Sequence, residues 1–265
     1  MNEEMATRVL RDVKEVFDHR SVEFWLESGT LLGAVREKSF IPWDDDIDLG
    51  TLDKNIPKMK ALAKDFCERG FETYFSPYHN SMAVKRDGIS VDLVFWRLDN
   101  DRAIMPLLYI ENLAGRFLFN VMWIILYSHN GKINRETLNS VSKKVKFALI
   151  KLTDLLPGPV RVQLAKFTHV LARNMGNRRG LVVTPSRFFL NLSDIAFYGM
   201  TFRIPAEKED YLEYYFGEDW RAPRKDWEYW GNGDKEELLS KTEHPGEKWE
   251  YWKNSLSPTE YAMLD

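Results

Sequence analysis

Four carboxylates crowd into five positions of this chain: Asp44, Asp45, Asp46 and Asp48, directly after Pro42-Trp43. Like charges this close repel one another, and burying them unpaired costs on the order of several kcal/mol. A fold containing them must leave them in water, give them a cation, or use them in proton chemistry. The flanking Trp43, Ile47 and Leu49 argue against a simple solvated loop, because Ile47-Asp48-Leu49 reads as a strand entering a core.

Asp46 and Asp48 are separated by one residue, which in a strand sets both on one face about 6.5–7 Å apart. Carboxylates so placed can bridge divalent cations about 3.5–4 Å apart, the arrangement that serves in-line phosphoryl displacement. Such a site commonly needs a third carboxylate, and Ser90-Val91-Asp92-Leu93-Val94-Phe95-Trp96 carries a lone acid in an otherwise apolar strand. Oxygen ligands without His or Cys favour Mg²⁺ or Mn²⁺. Asp46, Asp48 and Asp92 are therefore the expected metal ligands and catalytic carboxylates, with Asp44 and Asp45 behind them. A calcium loop fails, since its sixth and twelfth positions would be Leu49 and Asn55 where Gly and Glu are required. A glycosidase pair fails too, because those two acids sit on separate elements.

Upstream, Ser28-Gly29-Thr30 offers a small-residue turn and a helix cap before Leu31 to Arg36. Free backbone N–H groups at such a turn form an anion site, and Arg36 two turns on could grip the same phosphates bidentately. The expected substrate-binding set is Ser28, Gly29, Thr30 and Arg36, with Lys85 on a strand facing Asp92 as a further cation.

Around this stretch, residues 3–18 place Met5, Val9, Val13, Val16 and Phe17 at helical spacing. A strand is expected over 22–26, a helix over 57–68 stopped by Gly70, and strands over 71–75, 82–85 and 89–96. Asp87-Gly88 marks a hairpin turn between the last two. The expectation is an α/β (α+β) fold, a small mixed sheet flanked by helices, over residues 1–100. The single cysteine, Cys67, excludes an internal disulfide and any Cys-rich zinc site. The charged opening lacks an apolar leader, so a reducing, cytoplasmic setting is expected.

Charge sets the middle apart. Residues 101–180 hold 13 Lys and Arg against four acids, in a chain whose net charge is −3. Such a local excess points to a local anionic partner and away from general nucleic-acid binding. Residues 103–127 are largely apolar, but Asn112, Arg116 and Asn120 form a polar stripe that suits a buried or surface helix better than a spanning one. Basic amphipathic helices are expected over 143–156 and 160–175, separated by Pro157-Gly158-Pro159. Two partners fit them, an anionic membrane surface or the catalytic core. Residues 181–265 form an aromatic-rich end, with a short helix at 211–217, that is expected to pack back on the core.

The run G-T-L-L-G-A-V-R-E-K-S-F-I-P-W-D-D-D-I-D-L-G with Asp92 resembles the LicD/fukutin branch of the polymerase-β-type nucleotidyltransferase superfamily. Glu37 and Ser39 stand where that pattern usually carries His and Gly. Tyr215-Phe216-Gly217 and Asp219-Trp220 resemble the family's C-terminal end. The likeness is strong over 28–98, weak through the basic middle and partial over 211–223. It implies transfer of a substituted phosphate, phosphocholine or a polyol phosphate, from a CDP-activated donor to a hydroxyl of a cell-surface or lipid-linked glycan. It also implies Mg²⁺ or Mn²⁺ at Asp46, Asp48 and Asp92, a diphosphate held by Gly29, Thr30 and Arg36, and work at the inner face of the membrane. Two alternatives keep the same residues: nucleotidyl transfer releasing pyrophosphate, or an inactive homologue that binds glycan or membrane.

Overall fold

In a computed structural model, residues 1–76, 81–109 and 178–225 are described, with scattered positions between 114 and 171. The expected features over 112–150 and 226–265 lie almost wholly outside these residues. Helix α1 (Glu3–His19) opens the chain, capped by the Asn2 side chain on the Met5 amide. Strand β1 (Phe24–Leu26) leads into α2 (Ser28–Leu32), a π-helical turn (Gly33–Glu37) and strand β2 (Asp46–Leu52). A 3₁₀ turn (Asp53–Lys58) precedes α3 (Met59–Glu68), followed by β3 (Glu72–Ser76), β4 (Ser81–Arg86), β5 (Ile89–Asp99) and β6 (Arg102–Tyr109). After the middle region come β7 (Arg178–Pro185), α4 (Arg187–Leu190), β8 (Leu192–Phe197), β9 (Met200–Pro205) and α5 (Lys208–Phe216).

The sheet runs β3-β4-β5-β2-β1-β9-β8, with β6 pairing β5 and β7. It is mixed: β2 lies parallel to β5 and β1 parallel to β9, while β1–β2, β3–β4, β4–β5 and β8–β9 are antiparallel. Asp87 and Gly88 both take positive φ, the left-handed pair that a two-residue hairpin needs, so β4 and β5 join tightly.

Alternation divides the central strands between two layers. Phe24, Leu26, Ile47, Leu49, Val91, Leu93 and Phe95 are buried. On that side Phe17 of α1 packs against Phe24 and against Phe66 of α3, and Phe66 meets Phe71. Arg20 clamps α1 to α3 through a double hydrogen bond to Asp65. The opposite face carries Trp25 and Trp96, covered by Phe189 of α4, which also meets Tyr211 of α5.

Two expectations change here. The stretch read as a helix from Ala103 begins as strand β6, because the turn at Asn100-Asp101 folds it back on β5 with Ala103 opposite Leu98. Ser28 does not cap a helix from outside. It is the first residue of α2 at φ 45°, with Glu27 before it.

The chain divides into two units, residues 1–107 with 181–243, and residues 108–180 with 244–265. The catalytic expectations all fall in the first unit. No helix among the described residues is long and apolar enough to cross a membrane.

Candidate active site

The parallel register of β2 and β5 sets Asp48 opposite Asp92 and Asp46 opposite Ser90. Same-face alternation then brings three acids from two strands to one end of the sheet. On the neighbouring strand Lys85 is paired with Ser90, and Ala83 with Asp92, so Lys85 occupies the same face. All five polar residues are half-buried.

This crowding is visible in their protonation. Burial, followed by repulsion from Asp46, Asp44, Asp92 and Glu27, drives the Asp48 carboxyl well above the ordinary range. Burial and the Asp46 charge push Asp92 up to about 6, opposed by a hydrogen bond from the Ser90 hydroxyl. Asp44 rises to about 7 through burial and then Asp46, and Asp46 is raised by burial and Asp45. Such a set is held together against its own repulsion, which a proton or a bound cation would relieve.

Carboxylate oxygens of Asp44, Asp45 and Asp46 all lie within 4.8 Å of one another, which makes them a further candidate cation group among the described residues, beside the face of Asp46, Asp48 and Asp92. The donors are all hard oxygens, which fits Mg²⁺ or Mn²⁺. Asp46 belongs both to this group and to the face shared with Asp48 and Asp92.

The Ser28-Gly29-Thr30 turn serves these acids directly. The Gly29 amide donates to Asp48 Oδ2 at 3.0 Å, and the Asp48 amide donates to Thr30 Oγ1 at 2.8 Å. The Ser28 amide donates to the Tyr211 hydroxyl at 3.3 Å. The Ser28 and Gly29 amides are thus engaged within the protein. Glycine at 29 lets these carboxylates come close, since a Cβ would lie 2.5 Å from Asp44 Oδ2 and 3.3 Å from Asp48 Oδ2 and the Asp44 carboxylate would have to shift. Arg36 is likewise occupied: it donates to Glu37 Oε1 at 2.7 Å and to the Trp220 carbonyl at 2.8 Å. It ties the π-helical turn to the C-terminal segment, where Trp220 is buried.

Sequence reading missed Glu27. Its amide donates to the Asp48 carbonyl at 3.1 Å and its carbonyl accepts from Leu31, starting α2. Its side chain is buried, and Oε1 accepts from Trp96 Nε1 at 2.8 Å. Burial pushes its carboxyl up to about 8, opposed by Trp96, Trp25 and Tyr211. The signal was present: an acid directly after the apolar strand Phe24-Trp25-Leu26 needs a buried partner.

A mixed sheet that gathers acids from adjacent parallel strands, with a glycine beside them, is a framework that can support group transfer. Residues 21–159 match the LicD/FKTN/FKRP nucleotidyltransferase domain, and the chain belongs to that family. It is 52% identical over 52 residues to human ribitol 5-phosphate transferase FKRP, covering 20% of this chain and 10% of that protein. Human ribitol-5-phosphate transferase FKTN is 21% identical over 227 residues, 84% of this chain and 35% of the relative. Lipopolysaccharide cholinephosphotransferase LicD of Haemophilus influenzae is 61% identical over 28 residues, 11% of each chain. The chain spans about a third or less of the length of these curated relatives.

Proposed function

We propose that this chain catalyses metal-dependent transfer of a substituted phosphate from a CDP-activated donor to a hydroxyl of a glycan or lipid-linked glycan. The transferred group would be a polyol phosphate or phosphocholine, the two chemistries named in its relatives. The observation that carries the reading is the in-register pairing of Asp48 with Asp92, beside Asp46, in a cluster strained by its own charge.

Asp46, Asp48 and Asp92 would hold Mg²⁺ or Mn²⁺, with Asp44 and Asp45 close enough to Asp46 to share the load. The bound cation would neutralise charge on the transferred phosphate and on the departing CMP. Gly29 and Thr30 fix Asp48 through two hydrogen bonds, which orients its free oxygen before any ligand arrives. Asp92, opposite Asp48 on the neighbouring strand, would be placed to take the acceptor hydroxyl's proton. Lys85 is the cation on the same face that could meet the donor's diphosphate. The working place in this reading is the cytoplasmic face of a membrane, where a lipid-linked acceptor is presented.

Incubation with CDP-ribitol, CDP-choline or CDP-glycerol tests the reading, with Mg²⁺ or Mn²⁺ and an acceptor glycan. CMP release that needs the metal and disappears in Asp48→Asn supports it. Pyrophosphate released from a nucleoside triphosphate would replace it with nucleotidyl transfer. Neither product, with no Mn²⁺ binding by calorimetry, would make the chain a binding module.

A further inference from the structure

We infer that the stretch from Leu152 to Leu171 docks on the surface of an anionic phospholipid bilayer with its apolar side chains facing the lipid. The inference rests on the membrane-face reading above and names the residues that would make the contact.

Polarity in this stretch is inverted. Residues 160, 163, 164, 167, 168 and 171 are helical, and the Thr168 hydroxyl donates to the Leu164 carbonyl one turn back at 3.0 Å. Val160, Leu164, Phe167 and Leu171 recur at i, i+4, i+7 and i+11, one face of a helix, and all four are exposed. Just upstream, Leu152 and Leu155 are 61% and 82% exposed. Among the described residues of the stretch, the hydroxyl residues Thr153 and Thr168 are the buried ones. Single exposed leucines are ordinary, but six large apolar side chains turned outward within twenty residues mark a surface made to be covered.

Charge selects the cover. Between residues 143 and 179 the sequence has nine Lys and Arg and one acid, Asp154. A second copy of this chain would set that excess against itself. An anionic bilayer supplies both an apolar layer and negative headgroups, the pair of properties that basic amphipathic segments recognise.

The test is co-sedimentation of the full chain with phosphatidylcholine vesicles, with and without roughly 30 mol% phosphatidylglycerol. Binding to the anionic vesicles is expected, weakened by salt and weak on the neutral ones. The double variant Leu155→Glu/Phe167→Glu should bind at least about tenfold more weakly. Its circular dichroism and Mn²⁺ affinity should match wild type, since both positions are exposed. Three results would overturn the inference: no binding by wild type, equal binding by the variant, or a concentration-dependent dimer that the variant abolishes while vesicle binding persists. Vesicle binding is read without donor and CMP release without vesicles, so failure of the docking surface and failure of the proposed chemistry are separable.

Discussion

The α-carbon of Gly50 faces the carboxyl of Glu27 so closely that a methyl group there would lie 2.1 Å from Oε2 and 2.3 Å from Trp25 Nε1. Gly50 of β2 pairs with Trp25 of β1, and Glu27 follows Trp25 by two positions, just past the end of that strand. Glycine at 50 thus makes room for a buried acid whose backbone carries both Asp48 and the start of α2. The Gly50→Ala variant should lose about 1–3 kcal/mol through overpacking, read as a lower urea midpoint. Because Glu27 must move, Mn²⁺ affinity should fall along with stability. An unchanged midpoint would show that the carboxyl shifts aside at no cost.

Replacing Asp48 by Asn separates stability from function. The amide oxygen can still accept from Gly29, while the repulsion from Asp46, Asp44, Asp92 and Glu27 is relieved. The metal-free variant should therefore melt no lower than wild type. Transfer should fall at least about 100-fold, as it does when one electrostatic contributor leaves a preorganised site. A lower melting point with activity retained would reverse both assignments.

The cluster also inverts the usual acid response. Asp92 near 6 and Asp44 near 7 in the folded chain lie above the ordinary carboxylate value of 3.8. The folded state then binds more protons than the unfolded one across that interval. Their contribution to stability is full below about pH 4 and is lost as pH rises through about 6 to 7. In a chelator-containing buffer these groups should lower the melting temperature between pH 5 and pH 7.5, and saturating Mg²⁺ or Mn²⁺ should restore it. The same slope in Asp44→Asn/Asp92→Asn would show that other groups set it.

Local pattern revealed much of this site. The acids at 44–48, the lone Asp92 and the Asp87-Gly88 turn are each legible because spacing alone fixes their geometry. What stayed hidden depends on distant partners. Glu27 takes its hydrogen bond from Trp96, 69 residues away, and Arg36 bonds the carbonyl of Trp220, 184 residues away. The apolar run that opens β6 has no decisive period of its own, and its pairing with β5 makes it a strand. The glycine turn also has a task that its own sequence does not show, since the Gly29 amide bonds the side chain of Asp48, 19 residues away.

Arg36 offers the sharpest contrast between the two readings. If its work is to fasten Trp220 to the π-helical turn, then Arg36→Lys should release the C-terminal segment, because a single ammonium cannot reproduce the fork that holds Glu37 and Trp220 together. The cost should be about 1–2 kcal/mol. Hydrogen exchange should quicken at the amides of Trp220 and Ala222, which bond back to Gly217 and Asp219, while those of β2 and β5 stay protected. Donor KM should change little. A large rise in KM with exchange at 217–222 unaltered would return Arg36 to the phosphate-binding role that its place in the motif suggests.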